Sequence, residues 1–165
     1  MKKNMKFTRS LLLGVMALTL MMTGCKKDKE EIIPEGTASF VDKTWKLDAM
    51  TIDPAIDWDE DGVPDTDILG LMDECDIDDL ITLRKDGKTI TNFGKAKCDP
   101  TEPNEATTGS WAFDPVSKKM TLNHDEGDDE EWMVVQNDGN TLKMKGILPN
   151  VTPEYTITMT LKKVK

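Results

Sequence analysis

Glu154-Tyr155-Thr156-Ile157-Thr158-Met159-Thr160-Leu161-Lys162-Lys163 alternates without a break. Tyr155, Ile157, Met159 and Leu161 fall on one face, and Thr156, Thr158, Thr160 and Lys162 on the other. Successive side chains of a strand point to opposite faces, so this period of two predicts a half-buried antiparallel strand. Carried back up the chain, the same reading gives seven more strands. Residues 44–51 place Trp45, Leu47 and Ala49 on one face. Residues 80–84 and 88–93 flank Asp86-Gly87, and residues 131–136 and 141–146 flank Asp138-Gly139. Asp-Gly between alternating runs is a two-residue hairpin signal. Residues 109–113 carry Trp111 and Phe113 together, and 119–123 carry Met120 and Leu122.

No long apolar stripe of helical period interrupts these strands. Closure removes the open edges of such a sheet, so the expected fold is all-β: an antiparallel, eight-stranded up-and-down barrel. A barrel of eight strands is just wide enough to be filled by side chains or to hold one small ligand. The expected internal set is bulky: Trp45, Trp111, Phe113, Tyr155, Met133 and Met144. It suits a filled core as well as a cavity. Trp58 and Trp132 read as more exposed, the latter because a two-residue turn at Asp138-Gly139 sets it opposite Lys145.

The chain has 165 residues, 31 acidic and 21 basic, with three cysteines and one histidine. That length suits one domain. Residues 1–24 read as a removable targeting segment. Its loss takes Lys2, Lys3, Lys6 and Arg9 and no acid, leaving 17 basic against 31 acidic side chains, a net of −14. Such a surface repels phosphate backbones and argues against nucleic-acid binding. His124 alone cannot build a histidine triad or a multi-histidine metal site within one chain.

Residues 1–10 are basic, and residues 11–22 (LLLGVMALTLMM) are apolar and uncharged. Twelve residues fall short of the ~20 needed to span a bilayer core. A basic start, a short apolar run and small residues at its end describe an export signal. Its end, Met22-Thr23-Gly24-Cys25, resembles the lipobox of bacterial lipoproteins. That resemblance implies cleavage before Cys25, lipidation of Cys25, and attachment to the outer membrane on its periplasmic or cell-surface side. Three acyl chains exceed the two signals needed for stable anchoring. The other reading is an ordinary secretory signal with a chance cysteine. Residues 25–39, with Lys26-Lys27-Asp28-Lys29-Glu30-Glu31, read as a polar tether, and residues 40–165 as the barrel.

With Cys25 assigned to lipid, Cys75 and Cys98 remain as an even pair in an oxidising compartment, which predicts a disulfide. A two-residue turn at Asp86-Gly87 would pair Leu83 with Ile90 and Ile81 with Asn92. The same register, extended, sets Cys75 opposite Cys98 and has the bridge close the open end of the hairpin. No C-x-x-C motif is present, so the bridge reads as structural.

Residues 57–67 (DWDEDGVPDTD) form a candidate calcium loop. Asp57, Asp59 and Asp61 occupy positions 1, 3 and 5, Gly62 the turn, Val63 the carbonyl position and Asp65 position 9. The stretch resembles the aspartate-rich loops of thrombospondin type 3 repeats and dockerins. Position 12 is Ile68, so the closing carboxylate would have to come from Asp73 or Glu74. The alternative is a solvated acidic loop. The second acidic run, residues 124–131 (HDEGDDEE), lacks ligand-like spacing and reads as a solvated loop with an exposed His124.

No Gly-rich phosphate loop and no nucleophile–base pairing stand out, and Ser39, Ser110 and Ser117 have no base partner in sequence. The chain therefore reads as a non-enzyme. The order of Trp45-Lys46-Leu47, Cys75 followed by Asp76 to Asp79, Asp86-Gly87, Cys98, Gly109-Ser110-Trp111 and Met120-Thr121-Leu122 resembles the lipocalin-like domain of small envelope lipoproteins. It departs from the Gly-x-Trp opening of lipocalins at Lys43. The resemblance implies a lipocalin-type barrel on a lipid tether, with a small apolar or amphipathic ligand at its mouth. The other function class is a structural or interaction lipoprotein with a filled, calcium-stabilised barrel that docks an envelope partner through its loops.

Overall fold

The computed structural model describes residues 39–148 and 152–164, all within one compact unit spanning 31–165. Residues 1–38, and with them the targeting segment and Cys25, lie outside the described residues. Among the described residues nine strands run in chain order: β1 (Thr44–Ile56), β2 (Asp65–Asp67), β3 (Leu80–Leu83), β4 (Lys88–Asn92), β5 (Glu105–Asp114), β6 (Lys119–His124), β7 (Glu130–Asn137), β8 (Thr141–Ile147) and β9 (Thr156–Lys163). A 3-10 turn, Leu69–Leu71, and a single helical turn, α1 (Glu74–Ile77), separate β2 from β3. Eight strands pair antiparallel in the order β1-β3-β4-β5-β6-β7-β8-β9, and β9 returns to β1. The barrel is therefore closed, as the alternation predicts. The ninth strand, β2, had no sequence signal. It is three residues long and pairs only with the far end of β1.

Closure rests on β9. It pairs with β1 from Trp45↔Lys163 to Asp53↔Thr156 and with β8 from Thr141↔Lys162 to Ile147↔Thr156. Ile157 and Leu161 are buried, and Tyr155 and Met159 pack against the same core. The other face of the strand carries the threonines.

Strand β1 runs longer than its sequence pattern predicts and changes face midway. Its register with β9 shifts between Leu47 and Ala49. Trp45 and Leu47 face inward before the shift, while Met50 and Ile52 pack against the core after it. A β-bulge inserts one residue and so reverses the alternation. This corrects the expectation that Ala49 shares the face of Trp45.

Both hairpin registers also differ from expectation. In β3–β4, Leu83 pairs with Thr89 and Ile81 with Thr91, one residue off the two-residue-turn register. Arg84 N–H donates to the Lys88 carbonyl and Gly87 N–H to the Arg84 carbonyl, so Lys85-Asp86-Gly87 is a three-residue loop. A slip of one residue moves every side chain to the other face. Thr89 and Thr91 are therefore buried, and Ile90 is not. The Thr91 and Thr108 hydroxyls compensate each other at 2.8 Å.

In β7–β8, Asp138 N–H donates to the Thr141 carbonyl, so the turn residues are Gly139-Asn140. A further shift between Val134 and Gln136 pairs Met133 with Lys145. Trp132 is consequently buried against Met120 on β6, and Met133 is exposed, the reverse of the expectation for both.

One end of the barrel is plugged from outside the strands. Phe40 and Val41 precede β1 and are buried beneath it. Phe40 meets Trp111 and Phe113 edge-on, at ring distances of 5.7 and 5.3 Å. Trp45 Nε1 donates to the Phe40 carbonyl at 3.1 Å. Lys43, where a lipocalin has glycine, donates its ammonium to the carbonyls of Ser39 and Gly139 and ties the plug to the β7–β8 turn.

At the other end, Cys75 in α1 and Cys98 beyond β4 form the disulfide, with Cα atoms 5.3 Å apart. It joins the segments flanking the β3–β4 hairpin, as expected. The ladder ends at Leu80↔Asn92, however, so the bridge comes from loop packing and not from the register. Closing a loop with a sequence separation of 23 residues stabilises the fold by about 3 kcal/mol through the unfolded state. We expect Cys75→Ser/Cys98→Ser to lower stability by about that amount and to remove the effect of reductant on the urea midpoint. A midpoint that is the same for both chains would show that the bridge does not restrain the unfolded state.

Candidate ligand-binding site at the barrel mouth

A hollow lies at the end opposite the plug. Its wall is built from inward-facing positions of four strands: Met50 on β1, Trp132 on β7, Gly146 on β8 and Ile157 on β9. They surround a cavity of about 550 Å³, within the range in which small-molecule sites fall. A smaller hollow of about 290 Å³ lies at the plugged end beside Ser39, Phe113 and Val134.

Trp132 packs where one inward side chain of β8 is missing. Along β8, Leu142, Met144 and Gly146 take successive inward positions, and the first two are buried. A Cβ on Gly146 would stand 3.0 Å from the Trp132 ring. The indole thus lies against bare backbone and forms a flat apolar floor. Glycine inside a strand marks such close approaches, and this was the sequence signal for the site. The two-residue-turn register, which turns Trp132 outward, hides it.

The rim is acidic. Asp128, Asp129, Glu130 and Glu131 line it on the β6–β7 side, with Ile147 and Leu148 across from them. Trp132 Nε1 donates to Glu130 Oε2 at 2.8 Å, which fixes that carboxylate beside the floor. His124 Nε2 lies 3.8 Å from the same oxygen. The expectation of an exposed His124 is therefore corrected: it is half-buried beside Glu130. Glu131 points to the outer face and pairs with Lys119 at 2.8 Å.

The candidate calcium loop follows β1 at the same end. The carboxylates of Asp57, Asp59 and Asp61 converge, with oxygens within 4.8 Å of one another. Asp57 Oδ2 accepts the Gly62 N–H at 2.9 Å, and Asp61 Oδ1 accepts the Val63 N–H at 2.8 Å. Asp57 Oδ1 is buried without a partner. Asp65 turns away and accepts the Trp58 N–H at 3.0 Å. Ile68, at position 12, is buried in the core and donates its N–H to the Met50 carbonyl at 3.0 Å. Asp73 and Glu74 do not join the converging group. Trp58 is exposed, as expected.

Beside the disulfide, Asp78 Oδ2 accepts the backbone N–H groups of Lys95 and Ala96, which hold its carboxyl below the usual range. Asp79 behaves oppositely. Partial burial, reinforced by Asp78, Glu102 and Asp76, pushes its pKa up to about 6. A carboxyl raised on folding contributes stability that is complete below its unfolded pKa and lost as pH rises through the folded value. We therefore expect the melting temperature to rise as pH falls from 7 towards 5, and Asp79→Asn to raise it at pH 7 and flatten that rise. Acid loss from Asp78, Asp99, Asp114 and Asp138, all lowered, begins only below their ordinary range near 3.8. An unchanged slope between pH 5 and 7 in Asp79→Asn would contradict the assignment.

Among known proteins, a family model described as a lipocalin-like domain matches residues 41–144. No curated protein matches the chain. The matched region runs from the plug through most of β8, and the closing strand β9 lies beyond it.

Proposed function

Since the chain belongs to the lipocalin-like domain family, we propose that it is a non-enzymatic envelope lipoprotein that binds a small apolar or amphipathic molecule at its barrel mouth. The observation that carries this reading is the cavity between Met50, Trp132, Gly146 and Ile157, floored by an indole and open to solvent. The described chain begins at the plugged end, at Ser39, so a tether from lipidated Cys25 would reach the barrel on the side away from the mouth. Anchoring there leaves the mouth free to exchange ligand.

Native mass spectrometry of the chain purified from envelopes tests the reading. The expected result is a reproducible small adduct, lost on denaturation and absent from Gly146→Leu, whose side chain displaces the Trp132 ring from the cavity floor. A bare polypeptide from both chains would move the function to the outer surface. There, Trp58 and Val63 stand exposed on the aspartate loop and suit a docking role. In that case membrane pull-down with the anchor intact should return a partner that Trp58→Ala loses.

Calcium titration decides the role of the loop itself. Three converging carboxylates without a bidentate closing ligand suit weak binding, at roughly millimolar calcium. Calcium at that level should raise the melting temperature of the native chain and leave that of Asp59→Asn/Asp61→Asn unchanged. An equal response from both would reduce the loop to a solvated turn.

A further inference from the structure

The lining of the mouth is chemically one-sided. Its body is apolar, from Met50, Trp132, Leu148 and Ile157, and its rim carries four carboxylates with no lysine, arginine or histidine among the lining residues. We propose that the mouth selects a cationic amphiphile: a compact apolar body bearing one amine, ammonium or guanidinium group. This inference rests on the binding role proposed above and specifies the ligand class for the same cavity.

The four carboxylates are not equivalent. Glu131 is paired with Lys119 on the outer face. Glu130 is held by the Trp132 indole, so its charge stays at the junction of floor and rim. Asp128 and Asp129 have no ion pair among the described residues. Both are exposed in the loop before β7. An apolar tail lying on Trp132 would therefore bring its head group to Glu130, with Asp128 and Asp129 beyond it.

Selection follows from the sign of that field. Low-dielectric walls focus the potential of a one-signed rim. A carboxylate head on the same tail would meet a rim whose charged lining side chains are all acidic, and the chain's net charge of −10 adds to the repulsion. A neutral head would keep the apolar contact alone. A cation would gain at the rim without losing the floor. Exposed pairs are individually weak and screened by salt, so the preference should be moderate and salt-sensitive.

Three probes with one tail separate these cases: octyltrimethylammonium, octanol and octanoate, titrated calorimetrically into the intact chain in a nonionic detergent. The expected order at low salt is ammonium first, about tenfold tighter than octanol, with octanoate weakest. Salt at about 0.5 M should shrink the gap. Asp128→Asn/Asp129→Asn/Glu130→Gln should weaken ammonium binding far more than octanol binding. Gly146→Leu should weaken all three probes.

Equal affinities, or tighter binding of octanoate, would overturn the cationic class and keep the apolar site. An ammonium preference that survives Asp128→Asn/Asp129→Asn/Glu130→Gln would overturn the rim as its source. Failure of all three probes to bind would overturn the binding role together with this refinement.

Discussion

Gly109→Ala is expected to lower the stability of the barrel by about 4 kcal/mol, combining overpacking with a disfavoured backbone. Gly109 sits on β5 at φ 153°, and a Cβ there would overlap the carbonyl oxygen of Asn123 on the neighbouring strand. The β4–β5 register shifts at this level, with Thr89 opposite Gly109 and Ile90 opposite Thr107, so Thr108 is the extra residue of a bulge. The bulge reverses the alternation of β5: Ala106 and Thr108 are half-buried before it, and Trp111 and Phe113 after it. Trp111 and Phe113 thereby face the Phe40 plug. A side chain at Gly109 would push β5 from β6 at the point that aims both rings. Gly127→Ala is the control: its φ is 101°, but open space surrounds it. It should cost about 1 kcal/mol, from the backbone alone. Equal urea midpoints for the two variants would refute the packing argument.

Trp45→Ala should cost a similar amount, about 4–5 kcal/mol, for a different reason. Trp45 is fully buried, and its indole N–H satisfies the Phe40 carbonyl. Truncation leaves a large cavity between the plug and the barrel wall and strands a buried carbonyl. A domain with a typical 5–15 kcal/mol of stability would lose a large part of it. Trp45→Phe refills most of the volume but not the hydrogen bond, and should lose only about 1–2 kcal/mol. Trp58→Ala, on an exposed side chain, should change stability by no more than about 0.5 kcal/mol. Chemical denaturation of the three variants orders them. A Trp45→Ala midpoint near that of Trp58→Ala would mean the plug contributes little to the fold.

The asymmetry between Gly109 and Trp45 shows where sequence reasoning reached. Trp45 was legible as a core residue because it heads an alternating run. Gly109 was legible only as a strand residue. Its need for an absent side chain comes from the Asn123 carbonyl on β6, and nothing in the local pattern reports that carbonyl. The candidate site divides in the same way. The acidic run before β7 was visible as charge but read as a solvated loop. The indole beneath it reads as exposed from sequence, because the one-residue register shift between Val134 and Gln136 decides which face Trp132 takes. The aspartate loop was legible in its spacing, and three of its carboxylates do converge. The burial of Ile68, which removes the twelfth ligand position, depends on a backbone hydrogen bond to Met50.

By itself the sequence determined the eight barrel strands, their antiparallel order and the pairing of Cys75 with Cys98. These follow from alternation, turn residues and cysteine count, which are local or combinatorial properties of the chain. Tertiary structure alone decided the bulges in β1, β5 and β7, the hairpin registers, the plug of Phe40 and Val41, and the mouth beneath the acidic rim. All but the plug depend on a shift of one residue between neighbouring strands. Such a shift leaves composition and periodicity unchanged, yet it moves a side chain from solvent to core. The choice among registers is made by packing across the barrel, where Trp132 gains a place against Met120 and Gly146, and Met133 is left outside.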